Sequence, residues 1–210
     1  MRLGLDFDGT CFDFGTPFLA YFNNRNGTKF KIEQITKYEW YECLEGVTEE
    51  LFYDTLRDFN DNNGWNSVKL YPGVAEGLQR AQLTNLLYGV TVRTGNGPKA
   101  AAVHLEAAGI AMIRIGMPKP GETKAHVCDE MAIDVLFDDR PRYCKQVAET
   151  GIPVLCINQR YNEPWKIPPE LPILRTPSLV EGLKEFESFV KFARRKYGLA
   201  TAKSSKGLNS

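Results

Sequence analysis

Four apolar runs organise this 210-residue chain, near residues 2–6, 86–91, 133–138 and 153–157. Each is nearly continuous rather than alternating with polar residues, as in Val135-Leu136-Phe137 and Val154-Leu155-Cys156-Ile157. Unbroken apolar strands suit a parallel sheet covered on both faces. Helix-compatible stretches at about 74–82, 98–108, 123–131 and 141–149 separate the runs. Strand–helix alternation with right-handed crossovers predicts an α/β fold built on a doubly wound parallel sheet. About eighty residues part the first two runs, far more than a simple crossover needs. The excess predicts a small inserted helical cap over residues 13–70, leaving 1–12 and 71–177 as the α/β core. Within the insert Phe18, Tyr21 and Phe22, like Phe52, Leu56 and Phe59, fall on single helical faces and are expected to pack the cap. A last helix is expected over 178–198, with Ser178 as N-cap and Gly198 as stop. Residues 199–210, small and polar, are expected to be disordered.

Chemistry-bearing residues gather where the runs end. Asp6-Phe7-Asp8-Gly9-Thr10 follows the first run. Two carboxylates alternating with Phe7 point to one side of an extended backbone, and Gly9 permits a sharp turn. Acids so placed are costly without a cation, and a hard divalent ion such as Mg²⁺ takes carboxylate oxygens. The second run ends in Thr91-Val92-Arg93-Thr94-Gly95-Asn96-Gly97. A hydroxyl there, with the N–H groups of a Gly-rich turn, can hold a phosphate oxygen. Thr91 and Thr94 both fit that role by position. Lys124 opens a predicted helix, where the helix dipole disfavours a cation. The third run ends in Asp138-Asp139, whose side chains should point oppositely on an extended strand, so at most one is expected to face Asp6 and Asp8. Each segment alone also fits an ordinary turn or surface. Their shared position at strand ends and a helix start is where an open α/β sheet places its ligand site.

With these residues in this order, the chain resembles the haloacid dehalogenase-like (HAD) superfamily of phosphohydrolases. The family's first motif, Asp-x-Asp-Gly-Thr, is matched by Asp6 to Thr10; its Thr or Ser by Thr91; its Lys by Lys124; its acidic pair by Asp138 and Asp139. Within the superfamily the chain looks like the 5′(3′)-deoxyribonucleotidase, or 5′-nucleotidase type C, branch. The residues behind that narrower likeness are Ile35-Thr36-Lys37-Tyr38, Tyr71-Pro72-Gly73-Val74, Val90-Thr91-Val92-Arg93, Phe137-Asp138-Asp139-Arg140-Pro141 and Tyr161-Asn162. The resemblance covers about residues 1–165.

It implies a Mg²⁺-dependent phosphomonoester hydrolase acting on (deoxy)nucleoside monophosphates. Asp6 would attack phosphorus and form an aspartyl phosphate, and Asp8 would serve as general acid and then base. Thr91, Lys124 and Gly9 would surround the phosphoryl group, with Thr91 favoured over Thr94 because it stands two residues before Arg93, as in the family. Asp6, Asp138 and the backbone carbonyl of Asp8 would hold the metal, and Asp139 would orient its waters or Lys124. Phe14, Phe18, Tyr38 and Trp40, with Arg93, are the candidates for contacting substrate. Asp8 favours phosphoester chemistry over dehalogenation, since a halide leaving group needs no proton. The alternatives are a phosphatase for another small metabolite, a nucleic-acid 3′-phosphatase, or a catalytically retired module that only binds partners. The intact acids weigh against the last.

Composition narrows the partners further. Twenty-six basic and 26 acidic side chains cancel, so no strong nucleic-acid-binding surface is indicated. No apolar run approaches bilayer length and no signal-peptide pattern precedes Asp6, so a membrane partner is not expected. Five cysteines, an odd number without metal-ligand spacing, fit a reducing, cytoplasmic setting. The oligomeric state is left open.

Overall fold

The computed structural model describes residues 1–199, so the expected tail lies outside the described residues apart from Leu199. The chain opens with β1 (Arg2–Leu5), β2 (Phe12–Asp13), α1 (Gly15–Asn26), α2 (Glu49–Asp61) and β3 (Lys69–Leu70). There follow α3 (Val74–Ala81), β4 (Leu86–Val90), α4 (Gly97–Ala107), β5 (Met112–Gly116), α5 (Lys124–Glu130) and β6 (Val135–Asp138). It closes with α6 (Pro141–Ala148), β7 (Val154–Ile157), β8 (Ile173–Thr176) and α7 (Leu179–Tyr197). Among the described residues no helix is long and apolar enough to cross a membrane.

The main sheet runs β5-β4-β1-β6-β7-β8 with every pairing parallel. β1 is central: Leu3 pairs with Leu87 on one side and Val135 on the other, and Leu5 with Gly89 and Phe137. Strand order therefore reverses about β1, and the carboxyl ends of β1, β4 and β6 open on one crevice. One face packs under α3, α4 and α7 around Leu3, Leu5, Leu78, Leu105, Phe137 and Phe186. The other packs under α5 and α6 around Val90, Val127, Leu136, Cys144 and Val154. Two helical layers bury both faces, which is why the strands contain so few polar residues.

Both edge strands escaped the sequence reading. β5 carries Arg114 and exposes Ile113, so it lacks the unbroken apolar signature. β8 is four residues long and follows Pro168, Pro169 and Pro172, a context that reads as loop.

Between β2 and β3 the chain forms a helical insert. Those two strands pair antiparallel, Phe12 with Leu70 and Asp13 with Lys69, and close its base. Thr48 caps α2 by accepting a hydrogen bond from the Leu51 N–H at 3.1 Å. Gly27, in the left-handed region, ends α1. The aromatic faces of α1 and α2 meet as expected: Phe18 stands 5.6 Å from Phe52 and 5.3 Å from Phe59, edge to face. This cluster joins the core beneath α3, α4 and α7, so insert and sheet share one apolar interior.

Gly89 shows how closely the sheet's centre is packed under the site. A Cβ there would lie 2.7 Å from Phe7 Cζ and 3.1 Å from Ile115 Cγ1. Phe7 stands between Asp6 and Asp8 and is fully buried. Gly89→Ala should therefore destabilise the protein by about 1–3 kcal/mol, the usual cost of overpacking. Urea unfolding with an unchanged midpoint would show that Phe7 can move freely aside.

Candidate active site

β1 and β6 end side by side, and their ends bring acids together. The Asp6 N–H donates to the Phe137 carbonyl at 2.9 Å, which continues the β1–β6 ladder into the site. Carboxylate oxygens of Asp6, Asp138 and Asp139 all lie within 4.8 Å of one another, and all three residues are buried. Only one aspartate of the adjacent pair was expected to face this cluster. Both do, because β6 ends at Asp138 and the chain bends at Asp139, releasing it from strand alternation.

Lys124, the first residue of α5, is fully buried and reaches the same point. Its Nζ stands 2.7 Å from Asp6 Oδ1 and 2.6 Å from Asp138 Oδ2. That double contact outweighs the unfavourable placement of a cation at a helix start. Burial alone would lower the lysine's pKa, but Asp138 and Asp6 hold it well above its ordinary value. The acids remain in excess. Burial pushes the Asp6 carboxyl up, Lys124 pulls it down and Asp138 pushes it up again. Burial and then the charges of Asp6 and Asp138 lift Asp139 far above the usual carboxylate range. Three carboxylates meet one ammonium in a desolvated site, and a divalent cation fits that imbalance.

Asp139 is held from three directions. Thr10 Oγ1 donates to its Oδ1 at 3.1 Å, and the Tyr161 hydroxyl donates to its Oδ2. Asn162 Nδ2 donates to its carbonyl at 2.6 Å and to that of Ile157 at 2.8 Å. Gln159 Nε2 reaches the Gly9 carbonyl at 2.5 Å, so the loop after β7 clamps both acid-bearing segments. Gly9 has φ +77°, and a Cβ there would lie 2.6 Å from both Asp139 Oδ2 and the Tyr161 hydroxyl. Only glycine fits. Tyr161, Asn162, Gln159 and Thr10 received no role from the sequence, because their partners are remote in the chain.

Asp8 stands apart from the three-acid cluster. Arg93 Nε contacts Asp8 Oδ1 at 3.1 Å and Oδ2 at 2.9 Å, and Nη2 contacts Oδ1 at 2.6 Å. The guanidinium lies 4.6 Å from the Phe12 ring centre and 4.7 Å from that of Trp65, and Nη1 donates to the Gly97 carbonyl. Arg93 is thus buried and paired with Asp8 while still lining the cleft described below. Burial raises the Asp8 carboxyl while Arg93 opposes that rise. Thr91 is also buried; its Oγ1 accepts from the Arg93 N–H at 3.1 Å. Thr94 lines the cleft outside.

That cleft, about 1090 Å³, lies between the insert and the sheet's carboxyl edge. Asp8, Gly9, Phe14, Tyr38, Trp40, Tyr53, Trp65, Arg140 and Tyr161 are among its walls. Phe18 is not. It is fully buried, stacked on Phe14 at 4.8 Å and 5.1 Å from Trp40, so its expected substrate contact is corrected to packing inside the insert. One face of Tyr38 is covered by the Arg140 guanidinium, 3.7 Å from the ring centre. Arg140 also pairs with Glu39 at 2.6 Å. These contacts tie the insert to the loop that carries Asp138 and Asp139.

No family model and no curated protein matches the sequence. Solved structures do match. A haloacid dehalogenase-like family hydrolase from Streptococcus pneumoniae shares 17% identity and a TM-score of 0.56 over 75% of this chain and 84% of its own. A predicted phosphatase from Clostridium acetobutylicum shares 17% identity and a TM-score of 0.54 over the same 75% and 84%. An L-2-haloacid dehalogenase shares 12% identity and a TM-score of 0.58 over 89% of this chain and 98% of its own. At such identities the likeness is one of architecture: the chain has the Rossmann-like α/β fold of HAD-like hydrolases.

Proposed function

We propose that the protein is a Mg²⁺-dependent phosphomonoester hydrolase working through an aspartyl phosphate, with (deoxy)nucleoside monophosphates as substrates. The observation that carries this reading is the cluster of Asp6, Asp138 and Asp139 around a single Lys124, beside a cleft that Asp8 lines. A phosphomonoester dianion must approach carboxylates that repel it. A divalent cation held by Asp6, Asp138 and Asp139 would neutralise that charge and polarise a phosphoryl oxygen. Lys124, anchored to Asp6, would hold a second oxygen near the nucleophile, and Thr91 a third.

The protein groups divide the steps. An Asp6 oxygen bonds to phosphorus as the ester P–O bond breaks, and Asp8 gives its proton to the leaving alkoxide. A water then attacks phosphorus, Asp8 takes that water's proton, and inorganic phosphate leaves with the Asp6 carboxylate restored. Arg93 fixes the Asp8 side chain for both proton transfers. The nucleotide reading rests on the cleft's size and on its rings, Phe14, Trp40, Tyr53 and Trp65, beside the amide of Asn60. Against dehalogenation stands Asp8, a proton carrier that a halide leaving group does not use.

Asp6→Asn, or excess chelator, should reduce phosphate release from nucleoside monophosphates to background. Full activity in either condition would remove the covalent, metal-assisted route. Chloride release from 2-haloacids without phosphate release would assign the other chemistry found among proteins of this fold.

Asp8→Asn should slow alkyl phosphates by about 10²–10⁴-fold, and aryl phosphates far less, because an aryl oxide leaves without a proton. Arg93 loses its charge partner in that variant, so thermal melts should accompany the kinetics. Equal slowing of both substrate types would assign Asp8 to structure.

The excess of acids also dictates a pH dependence. Asp6 and Asp139 hold protons in the fold above the ordinary carboxylate value of 3.8. Metal-free stability should fall as pH rises beyond that value through their raised pKa values, since the unfolded chain gives up those protons first. Protons and Mg²⁺ compete for the same oxygens, so the rise in Tm on adding Mg²⁺ should grow as pH rises above the ordinary carboxylate value. It corresponds to about 2.7 kcal/mol at a hundredfold excess over Kd. Asp139→Asn should raise the metal-free Tm at pH 8 and shrink the Mg²⁺ increment. A pH-independent increment would mean that the cluster is not the metal site.

A further inference from the structure

The insert touches the acid cluster through a short chain of aromatic contacts. Tyr38, on the insert, meets the Tyr161 ring edge to face at 5.7 Å. Tyr161 donates its hydroxyl to Asp139 Oδ2. Tyr38 also carries the Arg140 guanidinium at 3.7 Å from its ring centre, and Arg140 is held by Glu39 at 2.6 Å and by the Tyr143 hydroxyl at 3.1 Å. The Arg140 N–H in turn donates to Asp138 Oδ1 at 2.9 Å. One insert side chain thus leans on Tyr161 and on Arg140, which touch the neighbouring acids Asp139 and Asp138.

Tyr161 gains its position from three sources. Its own loop is pinned by Asn162 to the Asp139 carbonyl and by Gln159 to the Gly9 carbonyl. The second source is the absence of a side chain at Gly9, whose Cβ would fall 2.6 Å from the hydroxyl. The third is Tyr38, the only one of the three that belongs to the insert. If Tyr38 shifts away, Tyr161 loses the ring that backs it, and Thr10 is left to hold the Asp139 carboxylate among the described side-chain donors named above.

We infer that Tyr161 is a positioning residue for Asp139 which Tyr38 holds in place, so that the cluster's affinity for a divalent cation depends on Tyr38 being seated against it. The inference rests on the metal-site reading proposed above. Groups that orient a metal-binding carboxylate change metal affinity about 10–100-fold when removed. Coupling of this kind is reciprocal: seating Tyr38 tightens the metal site, and the bound ion favours the seated Tyr38.

The test is a double-mutant cycle read by Mg²⁺ titration calorimetry on the full chain, without substrate. Tyr161→Phe keeps the ring and removes only the hydroxyl, so it should fold, and melts verify that. It should bind Mg²⁺ about tenfold more weakly. Tyr38→Ala should weaken binding by a smaller factor, and that loss should shrink in the Tyr161→Phe background, because part of it runs through the Tyr161 hydroxyl. Amide hydrogen exchange over residues 36–43 should slow on adding Mg²⁺ to the parent and be unchanged by Mg²⁺ in Tyr161→Phe. Additive losses, or a Tyr161→Phe protein that binds Mg²⁺ as the parent does, would overturn the coupling while leaving the metal site intact. A parent that binds no Mg²⁺ would overturn the metal site and this coupling with it.

Discussion

A buried lysine bridging Asp6 and Asp138 is the contact on which the rest of the site depends. It joins the ends of two neighbouring strands to the first residue of a helix on one face of the sheet, fixing three elements at one point. It also leaves the site short of positive charge. Breaking a buried pair strands a desolvated charge, at a cost of about 3–5 kcal/mol, so these groups constrain one another. The same constraint sets the site's chemistry: a pocket of unbalanced carboxylates accepts cations and the anions that come with them.

Around this centre the structure gives two nearby acids different surroundings. Asp6 belongs to the cluster, while Asp8, two residues on, turns to a buried arginine between aromatic rings. β1 has already ended at Leu5, so strand alternation does not hold the two acids to one side, and Gly9, with its positive φ, turns the chain directly after Asp8. The insert supplies Trp65 to one side of Arg93 and, through Tyr38 and Glu39, a hold on Arg140 at the other side of the crevice. Its two attachments flank the carboxyl end of β1.

Much of the sheet was legible because its inner strands are buried on both faces and therefore spelled in apolar letters. Leu3, Leu136 and Val154 announce their strands without help from neighbours. β5 and β8 were not legible: edge strands need only one buried face, and Arg114 and the flanking prolines mask what remains. Ser178 and Gly198 delimit α7 clearly, since each meets a local need, a side-chain cap and a left-handed stop. At the site, the grouping of Asp6, Lys124 and Asp138 follows from strand ends and parallel order. The fork between Arg93 and Asp8 spans 85 residues and that between Tyr161 and Asp139 spans 22, and no local pattern encodes such partners. Strand alternation also misled at Asp139, where the strand had already ended.

The apolar interior that passes unbroken from α1 and α2 to Leu3 and Leu5 has a consequence for how such a protein can change over generations. An accessory unit with its own closed core can be traded for another as a cassette. Here the rings of Phe14, Phe18 and Phe59 sit in the same packed body as the strand that bears Asp6, so remodelling the insert disturbs the framework of the site. Variation should collect in the short segment near residues 28–34, whose side chains are largely exposed, while the ring cluster changes only in concert with the sheet beneath it.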